Sequence, residues 1–166
     1  NQGVIYAGSD ATPDIESAAI NEYIHHIYYI AKEIRGGLSV PVLKRKYLYK
    51  SANGTGNQGQ LKTYNLVEGV EKLGLLFGVD TDKDGTVNYY AKASELSRED
   101  WEYERSHILS VRLHILVRAL EQDVTIDNTN IYDLGSYTYT VNDHYRRTLF
   151  TSTVKIVNAG KEVWRN

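Results

Sequence analysis

Residues 78 to 90 read GVDTDKDGTVNYY, with three aspartates at every second position followed by a glycine. In such a loop alternate side chains turn into one cavity and the glycine lets the chain bend sharply. It is the first half of the calcium-loop pattern D-x-[DN]-x-[DN]-G-x5-E. Asp80, Asp82 and Asp84 supply carboxylates, Thr86 a backbone carbonyl, and Asn88 an oxygen that reaches a cation directly or through water. The twelfth position, where a bidentate glutamate closes the cage, is Ala91, so closure would fall to water or to Glu95 folding back. These five residues form a candidate metal site for calcium; no cofactor is required. The competing reading is a bare turn, because tight turns favour Asp and Gly. Three carboxylates within five residues repel one another, a cost that a turn alone does not demand.

Other chemistry is sparse. The chain carries no G-x-S-x-G elbow, Walker loop, G-x-G-x-x-G or H-E-x-x-H, and no nucleophile–base pairing, so we expect no enzyme and no catalytic residue. His25 and His26 are adjacent, while His107, His114 and His144 stand apart, and all five read as surface or partly buried histidines rather than zinc ligands. Arg146 and Arg147 are neighbours that face opposite ways if extended, one predicted solvated and the other paired to an acid.

The totals set outer limits. A chain of 166 residues, 42% apolar and 24% charged, suits one globular domain with a real core. Its net charge of -2 argues against a broad nucleic-acid footprint, and no nucleic acid is expected to bind directly. Without cysteine there is no disulfide framework or thiolate metal site. Methionine is also absent, so Asn1 reads as the start of a processed chain whose anchor would lie upstream. Fourteen aromatics are tyrosine, against two Phe and two Trp, which suits strands with one face in water.

Several elements must position the loop. Thr12-Pro13-Asp14 resembles a helix start, and Ala19, Tyr23, Ile27, Ile30 and Ile34 recur at three- and four-residue spacing up to Gly36-Gly37. This predicts a long amphipathic helix over about 12–36. Leu109, Val111, Leu113, Ile115 and Val117 alternate with polar neighbours and predict a half-buried strand, with Leu113 inward and Arg112 and His114 outward. Leu73 to Val79 alternates likewise and resumes at Val87 and Tyr89, which makes the aspartate loop a hairpin turn. Val40 to Tyr49, Tyr137 to Val141 and Thr148 to Val157 are further strands, the last two joined through a turn at Asn142-Asp143. Ser97 and Asp100 cap a short helix within 94–103. The expected fold is α+β: one long N-terminal helix packed on an antiparallel sheet of six or seven strands, in a single domain over 1–166 with its β-rich part at about 38–158.

Four stretches, in order, resemble the PilW-type minor pilins of bacterial type IV pili. They are Tyr29 to Arg35; Leu66 to Leu73 running on into Gly78 to Gly85, a "GVE … GVDTDxDG" progression; Trp101 with Val111-Arg112-Leu113 and Leu116-Val117-Arg118; and Tyr145 to Val154. The related minor pseudopilin of type II secretion, GspJ, shares the architecture and is the alternative, with a calcium-binding adhesion module of a secreted protein as a second. The resemblance implies a pilin-like subunit anchored in the inner membrane by an apolar helix upstream of Asn1. Its domain would be periplasmic first and then part of the extracellular fibre, at the tip. It implies a role in priming pilus assembly, with other minor pilins, the major pilin and a tip adhesin as partners. The amphipathic stretch Ile15 to Ile34 would be the half of a pilin helix that lies on its own sheet.

Overall fold

The computed structural model describes residues 24–50, 59–102 and 105–157. Within them the predicted helix is replaced by a strand. β1 (His26–Arg35) pairs antiparallel with β2 (Leu38–Lys50), Arg35 opposite Leu38, so Gly36 and Gly37 form a two-residue hairpin loop. Both glycines have positive φ, 55° and 83°, the requirement of the type I′ turn that matches strand twist. Gly-Gly is therefore a hairpin signal rather than a helix stop, and the β-branched and aromatic run Ile27-Tyr28-Tyr29-Ile30 favours the strand it ends. The first part of the expected helix, 12–23, lies outside the described residues. Among the described residues 61% are strand and 6% helix, with no long helix, so the α+β expectation is overturned: they form mostly antiparallel β-sheet.

β3 (Gly59–Glu68) completes a three-stranded sheet in the order β1-β2-β3. The chain then enters a second sheet through β4 (Val70–Asp80), crosses the aspartate loop and returns as β5 (Tyr89–Ala91). A one-turn helix α1 (Arg98–Trp101) follows, shorter than the 94–103 expected. Ser97 and Asp100 close its capping box, and Ser106 holds the second Asp100 oxygen at 2.8 Å. β6 (His107–Arg118) lies between β4 and β9 (Arg147–Lys155), giving the order β5-β4-β6-β9. Between them runs an excursion whose β7 (Ile131–Asp133) pairs with β8 (Thr138–Thr140). The predicted turn at Asn142-Asp143 thus does not join two partner strands: β8 turns back on β7, β9 pairs with β6, and Asp143 bridges to Asn128.

The core lies between the four-stranded sheet and this excursion. Leu134 is fully buried on β4 at Gly74, where a Cβ would come 2.0 Å from the Leu134 carbonyl oxygen, so only glycine fits. The inward face of β6 differs from the alternation read in the sequence. Ile108, Leu109, Ser110 and Leu116 are buried, so Leu109 lies inside as expected at the start of the strand, whereas Leu113 is only half-buried. Arg112 and Arg118, on the face of Leu116, lay their guanidinium groups over Tyr90 and Tyr145 at 3.6 and 3.9 Å, so these cations are part of the packed layer. The base of the three-stranded sheet joins the core through Val40, Val42 and Val70, all buried.

Candidate functional site

The aspartate loop connects β4 to β5 as the hairpin expectation required, with Val79 opposite Tyr89. Asp80, Asp82 and Asp84 converge, each offering a carboxylate oxygen within 4.8 Å of the others, the one cluster of this kind among the described residues. Their environments differ. Asp80 is buried and accepts from the N–H of Lys83 at 2.7 Å and of Gly85 at 2.8 Å, so both oxygens tie the turn together. Burial alone would raise its pKa. The N–H donors, Gly85 first, outweigh burial and hold it below the ordinary aspartate value. Asp82 and Asp84 are exposed, and Asp84 accepts from Thr86 N–H at 2.7 Å.

The remaining expected ligands are engaged elsewhere. Asn88 turns its Oδ1 to the N–H and hydroxyl of Thr81, at 2.7 and 3.1 Å. Glu95 accepts from Lys92 N–H at 2.9 Å, closing the 3-10 turn Ala93–Glu95 instead of folding back on the loop. What the described loop brings together for a hard cation is therefore the exposed Asp82 and Asp84 beside Asp80, whose two oxygens already accept from the loop backbone.

A second cluster was not visible in the sequence. Arg147, with its side chain fully buried, donates Nε and Nη2 to Glu71 at 2.6 and 3.1 Å, and Nη1 and Nη2 to Asp143 at 2.6 and 2.7 Å. Burial by itself would lower the arginine pKa, but the hydrogen bonds that Arg147 donates to Asp143 and Glu71 outweigh it and raise the pKa above its usual value. Arg146, on the opposite face, is exposed and pairs with Asp123 at 2.5 Å. That carboxyl is lowered to about 2, first by the Thr125 hydroxyl and then by Arg146. The expectation of one solvated and one paired arginine is met in part: Arg147 is paired and Arg146 is exposed, but Arg146 is paired as well. Among the histidines, His144 donates Nδ1–H to the Ile126 carbonyl (2.7 Å) and His114 Nδ1 lies 3.4 Å from the Thr151 hydroxyl. No group of three metal-binding side chains among the described residues includes a histidine.

Both clusters read as architecture: a self-satisfied turn and a buried ionic clasp, neither with a nucleophile poised against a base. Comparison with curated proteins and with solved structures finds no match to either. A family model does match, that of the type IV pilus-assembly protein W, over residues 27–158. That span takes in β1 to β9, the aspartate loop and the arginine clasp, well over half the chain, and so this protein belongs to the PilW family of type IV pilus-assembly proteins.

Proposed function

We propose that this protein is a minor pilin that takes part in priming pilus assembly and sits at the fibre tip. In this reading it meets other minor pilins, the major pilin and a tip adhesin. Its globular part is periplasmic before assembly, and an apolar segment upstream holds it in the inner membrane; among the described residues no helix is long and apolar enough to cross one. No catalytic role is assigned to it.

The observation that supports this reading is the outer face of the four-stranded sheet. Leu73, Ile115 and Phe150 are in-register neighbours across β4, β6 and β9, followed by Leu75, Leu113 and Ser152, then Phe77, Val111 and Val154. Phe150 is 55% exposed, Val154 53% and Leu75 41%. A continuous apolar band of this kind is the mark of a surface that another chain covers. The test mixes the purified chain with the globular domains of pilins encoded beside it and measures size by light scattering. We expect mixed complexes that Phe150→Asp abolishes without lowering the Tm. A stable homodimer indifferent to those neighbours, or complexes that survive Phe150→Asp, would overturn the proposal.

A further inference from the structure

Across the three-stranded sheet, pairing gathers Tyr28, Arg45, Tyr47, Tyr49, Lys62 and Tyr64 onto one face. Tyr47 and Tyr64 stack with ring centres 5.4 Å apart and planes 19° from parallel, and Tyr49 lies 6.4 Å from Tyr47. The Lys62 ammonium sits over both Tyr64 and Tyr49, at 5.1 and 5.8 Å, and the Arg45 guanidinium lies 5.5 Å from the Tyr47 ring. The opposite face of the same sheet serves as an internal contrast. There Lys44 and Arg35 pair with Glu33, and Arg35 also reaches Glu68 at 3.5 Å. Among the described residues the ring face carries no acidic residue, and none of their ion pairs involves Arg45 or Lys62. On the opposite face Lys46 also lies over a ring, Tyr29 at 5.3 Å, but it shares the face with Glu33 and Glu68. The ring face thus gives a chain of net charge -2 a local cationic surface free of acid among the described residues.

We propose that this ring-bearing face binds single-stranded nucleic acid. Cations along an aromatic platform neutralise phosphates while the rings stack on bases without regard to sequence. Tyr47 and Tyr49 stand two apart on β2 and Tyr64 lies diagonally across on β3, a platform of the kind by which sheet surfaces stack two or three bases on their aromatic side chains. The polar atoms argue against a neutral sugar. The Tyr47 hydroxyl donates to that of Tyr64 at 3.1 Å, and the Tyr49 hydroxyl donates to Gln60 at 3.4 Å, so hydroxyl recognition is spent within the face. An acidic peptide would use the two cations and leave the rings idle. The low overall charge limits the footprint to this patch, which is why composition alone pointed away from it.

The experiment follows fluorescence anisotropy of a labelled ten-nucleotide oligothymidylate titrated with the whole 166-residue chain between 50 and 200 mM salt. Two phosphate contacts, at Arg45 and Lys62, predict that log K falls with log salt at a slope of about -1.4, and Lys62→Ala should reduce the slope by about 0.7. Tyr47→Ala and Tyr64→Ala should each weaken binding about ten-fold at unchanged slope, while Tyr64→Phe, which keeps the ring, binds as the native chain does. If either alanine variant melts below the assay temperature, Tyr28→Ala replaces it, since that ring is exposed and makes only an edge contact with His26. Absence of binding at 50 mM salt by the folded chain would overturn the proposal. So would equal binding of heparin or polyglutamate unaffected by loss of the rings.

Discussion

Removing the Arg147 side chain should be among the most damaging single changes on the four-stranded sheet. The side chain is fully buried, and its partners Glu71 and Asp143 are only 13% and 29% exposed. Arg147→Met keeps much of the volume but leaves two carboxylates facing each other in a half-dry pocket. Breaking a buried pair in this way costs about 3–5 kcal/mol, because the remaining charge is uncompensated. For a domain of this size that corresponds to a Tm lower by about 6–20 degrees. Arg147→Lys should fall between, since an ammonium cannot make the two-pronged contact to both carboxylates.

The pH dependence gives the sign of the effect independently of its size. Hydrogen bonds from Arg147 hold the Asp143 carboxyl below its ordinary value. A depressed carboxyl contributes stability above its unfolded pKa, and that contribution is lost as pH falls through the folded value. In Arg147→Met the depression is gone and proton uptake relieves the repulsion, so the variant gains where the native chain loses. The gap in unfolding free energy, read from urea melts, should therefore be largest near pH 7 and narrow below about pH 4. A loss under about 1 kcal/mol, or a gap unchanged between those pH values, would refute the account of the clasp as a buried ionic tie.

Two further outcomes follow from the same structure. Leu116→Ala should cost about 2–5 kcal/mol in urea unfolding, and Leu113→Ala clearly less, because the first side chain is fully buried and the second faces the open band; equal losses would contradict the packing of β6. Calcium at about 1 mM should stabilise the native chain by no more than about 0.4–1.4 kcal/mol over chelator, from binding at about 10⁻⁴–10⁻³ M. Asp82→Ala should erase that increment without loss in chelator, whereas Asp80→Ala should lower the Tm in both. A native Tm that does not respond to chelator means the loop is a turn only.

The elements that the sequence made legible are those with one face in water and one in the core. β2, β4, β6 and β9 fall on the expected stretches, and the aspartate loop lies in a hairpin, because period-two alternation records one-sided burial. β1 escaped that reading for a physical reason. Along it Ile27, Tyr29, Ala31 and Glu33 share one face and Tyr28, Ile30 and Lys32 the other, so apolar residues fall on both sides and no alternation exists to be read. The helical spacing of its isoleucines was then the strongest periodicity left, and the Gly-Gly that decides the matter was taken for a cap. Within β6 the alternation was genuine, but its inward side was misjudged, because arginines stacked on tyrosine count as interior in the structure and as solvent-facing in a polarity pattern. The clasp was out of reach for another reason: Glu71 and Arg147 stand 76 residues apart and meet only because β4 and β9 flank β6.

The same logic explains why tyrosine so outnumbers phenylalanine. Beyond its base at Val40 and Val42, the β1-β2-β3 sheet has no fully buried apolar side chain among the described residues, so cross-strand pairs hold its strands and its rings must tolerate water. Tyrosine does this where phenylalanine would leave an aggregation-prone surface. The attachment of this sheet to the rest is narrow, apolar at Val40, Val42 and Val70 and polar beside them. Gly69 donates its N–H to Pro41 at 2.8 Å and accepts from Arg118 N–H at 2.9 Å, while the Arg118 side chain reaches the Ser39 carbonyl at 2.5 Å. The apolar band and the ring face thus belong to different sheets that meet only near this joint. A neighbour seated on Phe150 and Val154 contacts β9 and leaves Tyr47 and Tyr64 in water. Assembly through one sheet and binding through the other are therefore compatible in a single subunit, and Phe150→Asp should remove the first while leaving the second intact.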